Sequence, residues 1–384
     1  MSDPAEFTPG DVPGQSEHRV STLELFFDLV FVFAFTQVTL SLADDTTWAG
    51  LGRGAVVFLL LWWAWGAYAW LTTVMQTMRR GPRVVVLMSM AAMLVTALAV
   101  PTAYDEGGLA FALGWLVVML LHATLFRLAT DPGATSSAAI VSLGSGNALA
   151  GVVLVVASFT DGPTTTLLFL GAVAVAYSTP YIWGVTGFSI NPGHFAERHG
   201  LIMIVALGES IVAIGAGGGE LSFDAGTVAA ALLAMALVSA LWWAYFDSAS
   251  EAVEASMSVA AGPERSRLAR DVYSYLHIPL VFGIVMAALG LKKTLGHVDE
   301  PLGLVSAAAF CGGVAGYLVA LHLIHMRCRL RGDWWRVLCA AFALAIIAVA
   351  VRADALVALA VLAAVAAAAA VVPRSNSRAA GPIT

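Results

Sequence analysis

The chain has 384 residues, 60% of them hydrophobic and only 11% charged, and its mean hydropathy is +0.86. A soluble domain carries about 25% charged residues, so this composition excludes a soluble enzyme or a nucleic-acid-binding surface and leaves a polytopic helical membrane protein. The net charge of -6 matters less than where the charges fall.

Residues 1–20 are polar and acidic and hold Pro4, Pro9 and Pro13, which reads as a disordered cytoplasmic N-terminus with no signal peptide. A spanning helix needs about 20 mostly apolar residues. Twelve segments qualify at 22–43, 52–78, 83–103, 108–129, 135–159, 164–187, 200–217, 223–248, 272–294, 301–326, 334–351 and 353–373. Charges and turn residues separate them, as at Asp44-Asp45, Arg79-Arg80 and Asp105-Glu106. Numbering the loops alternately puts 15 of the 19 basic residues on one side and 4 on the other. That side is expected to be the cytoplasm, with both termini in it.

The chain also repeats itself. Trp62-Trp63 and Trp242-Trp243 lie 180 residues apart, and Asp28 and Glu209 lie 181 apart. The stretch 114–131 resembles 316–333, sharing Gly114/Gly316, Arg127/Arg329 and Asp131/Asp333. The expected architecture is all-α, with two parallel six-helix halves at 21–190 and 191–372. A charged cytoplasmic linker at 248–271 lies within the second half, and a disordered tail follows at 373–384.

The first span, LELFFDLVFVFAFTQV, carries Glu24 and Asp28 four residues apart, on one helical face. Acids inside a membrane helix are costly and normally face a protein interior or a water-filled cavity. They suit a proton or cation site; alternatively Glu24 supports a Ser21 cap and Asp28 forms a buried ion pair with an arginine such as Arg198. Glu209 and Ser210 interrupt the apolar run 201–214 beside Gly208, placing a second carboxylate at membrane depth. As repeat partners, Asp28 and Glu209 are expected to face each other across a pseudo-symmetric centre.

His194, Glu197, Arg198 and His199 precede that second span and read as an interfacial turn, with Glu197 and Arg198 pairing to the intramembrane acids. Their HxxExH spacing is not HExxH and lacks soft ligands, so no metal and no other cofactor is expected. Cys311, Cys328 and Cys339 show no CxxC spacing and read as small core residues. The tryptophan clusters could line an aromatic cation pocket, but packing is the default.

The motifs Glu24-x-Phe-Phe-Asp28-x-Val-Phe and Glu197-Arg198-x-Gly…Leu-Gly208-Glu209-Ser210 resemble the bacterial low temperature requirement protein A (LtrA) family over nearly the whole chain. The resemblance implies a multi-pass bacterial inner-membrane protein linked by name to growth in the cold, with no settled activity. It carries over Glu24, Phe27, Asp28, His194, Glu197, Arg198, Gly208, Glu209 and Ser210.

Three functions fit this reading. The leading one is a proton- or cation-coupled carrier or pore centred on Asp28 and Glu209. The others are an intramembrane enzyme on a lipid or isoprenoid, and a membrane protein without turnover. Expected partners are the lipid bilayer, a small ion or solute and a second copy of the chain, with no nucleic acid.

Overall fold

The computed structural model describes residues 20–74, 80–129, 137–182, 190–217, 224–330 and 333–371. The described residues are overwhelmingly helical and contain no strand. Helices α1 to α7 span Thr22–Asp44, Trp48–Val74, Arg80–Leu98, Gly108–Ala129, Ser137–Ala157, Pro163–Ile182 and Pro192–Gly217. They are followed by α8 (Ala225–Ala244), α9 (Glu251–Val259), α10 (Gly262–Ala269) and α11 (His277–Gly296), then by α12 (Leu304–Arg327), α13 (Trp334–Ala345), α14 (Ile347–Ala350) and α15 (Ala355–Ala370). Among the described residues nine helices are long and apolar enough to cross a membrane, and three shorter apolar helices accompany them.

The first helix shows why such segments fold as they do. Ser21 caps it by accepting from the Glu24 amide, while the Glu24 carboxylate accepts from the Ser21 amide, closing a capping box. Its buried side carries Glu24, Phe27, Asp28, Phe31, Phe35 and Thr39 at helical spacing. Its outer side shows Leu25, Phe26 and Leu29. The acids therefore point inward among aromatic rings while the outer side is apolar, an arrangement that suits lipid.

α1 is central: it packs against α2, α3, α7 and α11. In the first group of helices α1 meets α2 and α3, α3 meets α4, α4 meets α5, and α6 returns to α5 and α2. In the second group α7 meets α8 and α11, α11 meets α12, α12 meets α13, and α15 returns to α13 and α8. The two groups follow the same order of neighbours. The sequence-matched tryptophans nonetheless sit differently. Trp62 is buried in the core, whereas Trp242 and Trp243 are exposed.

α11 and α12 approach through glycines. A Cβ built on Gly283 would lie 2.6 Å from the Gly313 carbonyl oxygen, and one on Gly290 would lie 2.2 Å from Phe310. Small residues let membrane helices pack backbone to backbone, gaining dispersion where no hydrophobic drive between helices exists.

One segment differs from the sequence reading. The helix carrying Glu209 starts at Pro192, not near residue 200, so His194, Glu197, Arg198 and His199 are helical and not in a turn. Proline suits a first helical position, and Asn191 accepts the His194 amide at 3.2 Å as a cap. The linker at 248–271 is also mostly helical. A π-helical segment, Tyr245–Ser250, joins α8 to α9, and another, Arg270–Leu276, joins α10 to α11. Two 35-residue helices, Ala225–Val259 and Gly262–Gly296, result.

Candidate functional site at the seam of α1 and α7

Asp28 and Arg198 meet across this seam. Arg198 is fully buried, and its Nη1 lies 2.9 Å from Asp28 Oδ2. The indole Nε1 of Trp65, on α2, donates to Asp28 Oδ1 at 2.9 Å. The Arg198 guanidinium lies 5.8 Å from the centre of the Trp65 ring. Asp28 is thus bonded on both oxygens, and the cation that balances it is also held by an aromatic face.

One turn earlier, Glu24 Oε2 accepts from the Ser21 amide and hydroxyl, each at 2.8 Å. Its Oε1 lies 3.2 Å from His194 Nε2 and 3.9 Å from Arg198 Nε. His194 and Arg198 are four apart on α7 and so share one face, turned towards α1. The cluster sets two carboxylates against one guanidinium and one imidazole. Glu24 Oε1, His194 Nδ1 and Arg198 Nε and Nη2 are buried without a hydrogen-bond partner among the described residues. Glu197 stands outside this group. It is exposed and accepts from the Val20 amide at 3.0 Å, tying down the start of α1.

Glu209 lies three turns further along α7 and does not pair with Asp28. It is 2% exposed. Thr36, on α1, donates its hydroxyl to Glu209 Oε2, and Thr39 stands beside it. Lys292, on α11, is close enough to act on it electrostatically. The adjacent Lys293 donates to the Ala43 carbonyl at 2.8 Å, placing a cation at the carbonyl end of α1. Ser210 is fully buried, and its hydroxyl has no partner among the described residues. α1 and α7 run in the same direction, since 28 meets 198 and 36 meets 209.

Beyond Glu209, a cavity of about 220 Å³ opens between α1, α2 and the turn after α3. Asp44, Asp45, Arg53, Tyr104 and Asp105 line it, and so does Val38, the neighbour of Thr39. Asp45 is ion-paired with Arg53. The Thr47 hydroxyl and that guanidinium hold its carboxyl below the usual range, whereas burial pushes the Tyr104 phenol up.

The sequence reading singled out Asp28, Glu24, Arg198, His194, Glu197, Glu209 and Ser210. The first four come together and Glu209 stands apart. It missed Thr36, Thr39 and Trp65 as partners of the acids. A signal existed: Thr36 and Thr39, with Gln37 and Ser41, are the polar breaks in the apolar run of α1, and Thr39 lies three full turns after Asp28. Among the described residues no three His, Cys, Asp or Glu side chains gather so as to hold a metal ion.

The family model described as "Bacterial low temperature requirement A protein (LtrA)" matches residues 19–371. The chain belongs to the LtrA family. An uncharacterized protein from Rhizobium meliloti (strain 1021) is 29% identical over 293 residues, covering 73% of this chain and 70% of its own. No solved structure matches the chain. Every residue of the seam described above lies inside the LtrA match.

Proposed function

We propose that this LtrA protein is a proton- or cation-coupled carrier of the bacterial inner membrane, and that Glu209 is its titrating group. One observation carries this reading. Glu209 is buried at membrane depth and bonded to a hydroxyl, with no cation bonded to it among the described residues. A carboxylate so placed is costly to keep charged, and intramembrane acids of this kind mark ion pathways. Asp28 has a different role: with both oxygens taken by Arg198 and Trp65, it anchors α7 to α1. The matching neighbour order of the two helix groups supports two parallel six-helix halves.

The test is flux in proteoliposomes holding a pH-sensitive dye, under an imposed gradient of protons, sodium or potassium. Glu209→Gln keeps the shape and the bond from Thr36, so its melting temperature stays near that of the parent and its flux is lost. Equal flux in the two proteins would overturn the reading.

A further inference from the structure

On the side of the protein where the basic residues collect, the ends of α3 and α4 carry charge that nothing balances. α3 holds Arg83 at its start, with no acid in its first turn. α4 holds Arg127 in its last turn. Both arginines are exposed, and neither has an ion-pair partner among the described residues.

Two contacts fix their level. A Cβ built on Gly114 of α4 would lie 2.3 Å from Thr96 Oγ1 of α3. Nearer the arginines, the Tyr68 hydroxyl lies 2.5 Å from Ser89 Oγ of α3 and 3.1 Å from the Val118 carbonyl oxygen of α4, bridging the same pair. The two helices therefore run in opposite directions, each rising about 1.5 Å per residue. Thr96 and Arg83 are as far apart in sequence as Gly114 and Arg127, so the two arginines stand level at the ends of neighbouring helices. Below them the surface is apolar. Val84, Leu87 and Met88 continue the exposed stripe of α3, and Leu120 and Leu128 belong to that of α4. Each arginine stands where a lipid-facing stripe meets the headgroup layer.

The second group of helices fills the matching place differently. There α11 and α12 are neighbours as α3 and α4 are in the first group. At the same end of that pair, Arg327 meets Asp271 at 2.8 Å and Glu264 at 3.2 Å, and Arg270 meets Asp271 at 2.7 Å. The second group supplies its own acids. In the first, arginine stands level with arginine, and Arg83 adds a cation to the positive end of the α3 dipole. An anion placed between them relieves both.

We propose that the α3–α4 edge binds the phosphate of an anionic phospholipid, with Arg83 and Arg127 as its charge partners and its acyl chains lying along the two apolar stripes. Guanidinium groups suit phosphate because they donate two hydrogen bonds in a fixed fork. The stripes beneath favour a lipid over a free phosphate. The site uses no residue of the α1–α7 seam and stands whether or not the protein carries ions.

The experiment is native mass spectrometry of the full chain in detergent, titrated with phosphatidylglycerol or with phosphatidylcholine of the same acyl chains. An arginine near the membrane surface favours an anionic lipid about fivefold, so phosphatidylglycerol binds about 25-fold more tightly than phosphatidylcholine. Arg83→Gln and Arg127→Gln each lower that preference about fivefold, and the double variant removes it. Their melting temperatures stay near that of the parent, because neither side chain has a partner to lose. The pair Arg83→Lys and Arg127→Lys keeps the charge and most of the preference, and carries the test if the glutamine variants fold poorly. Arg329→Gln, which changes an exposed arginine beyond α12, leaves the preference unchanged. Glycerol phosphate at the concentration of the lipid does not displace it. Equal binding of the two lipids, a preference that survives in the double glutamine variant or is lost in the lysine pair, or displacement by glycerol phosphate would overturn the proposal.

Discussion

Arg198 and Asp28 form a buried ion pair at 2.9 Å, and neither has more than 2% of its side chain exposed. Removing one partner leaves the other charge stranded in the membrane interior, which costs about 3–5 kcal/mol in comparable buried pairs. Arg198→Met and Asp28→Asn should each sharply lower the melting temperature in detergent, read by size-exclusion chromatography after heating. The double variant should be more stable than Arg198→Met alone. A double variant no better than the worse single would show that the two groups do not act on each other.

Thr36 donates to Glu209 from the neighbouring helix. Thr36→Val keeps the volume and removes the donor, and an intramolecular hydrogen bond contributes about 0.5–1.5 kcal/mol. The variant should fold, melt lower than the parent and show reduced flux. Thr36→Ser should restore both. A valine variant with full flux and an unchanged melting temperature would remove Thr36 from the site.

The glycines of α12 divide into two kinds. A Cβ on Gly313 would lie 2.5 Å from Met286 Cβ, whereas one on Gly312 or Gly316 would meet nothing within 4 Å. Gly313→Ala should destabilise by about 1–3 kcal/mol through overpacking. Gly312→Ala and Gly316→Ala should be neutral or stabilising, because alanine favours the helix. Thermal melts of the three variants in one detergent check the contrast.

Asp45 lies beyond the end of α1, with its carboxyl held below the usual range by Thr47 and Arg53. A carboxyl that is more acidic in the folded protein stabilises it above the unfolded value, about pH 4, and that contribution is lost as pH falls through the lower folded value. The melting temperature of the parent should exceed that of Asp45→Asn at pH 6, and the gap should narrow as the pH falls below about 4. The gap should be small, since the pair is solvent-exposed. A gap that does not narrow with falling pH would assign the difference to something other than the charge.

Much of this was legible in the sequence. The long apolar runs, broken at points such as Asp44-Asp45 and Asp105-Glu106, delimit helices because an unbonded peptide group is too costly in hydrocarbon. A partner for Asp28 was also legible, since an intramembrane acid needs one and Arg198 was at hand. Other features stayed hidden. His194 to His199 looked like a loop because four polar residues lie in six positions, yet Asn191 and Pro192 ahead of them are a helix start, and their polar faces turn towards α1. Thr36 and Thr39 looked incidental because threonine is common in membrane helices and satisfies itself on its own backbone, as Thr39 does on the Phe35 carbonyl at 3.1 Å. Their nearness to Glu209 depends on the crossing of α1 and α7, which no local pattern encodes.

The two 35-residue helices, Ala225–Val259 and Gly262–Gly296, are each about 50 Å long at 1.5 Å per residue, against about 30 Å of hydrocarbon. Their shared tip lies on the side where α1 and α7 begin, as the nearness of Glu254 to Gly193 requires. A soluble molecule approaching that face meets this tip before it reaches the lipid. The turn at Ala260-Ala261 is therefore a natural place for an epitope tag or rigid fusion that would add mass for electron microscopy while leaving the α1–α7 seam untouched.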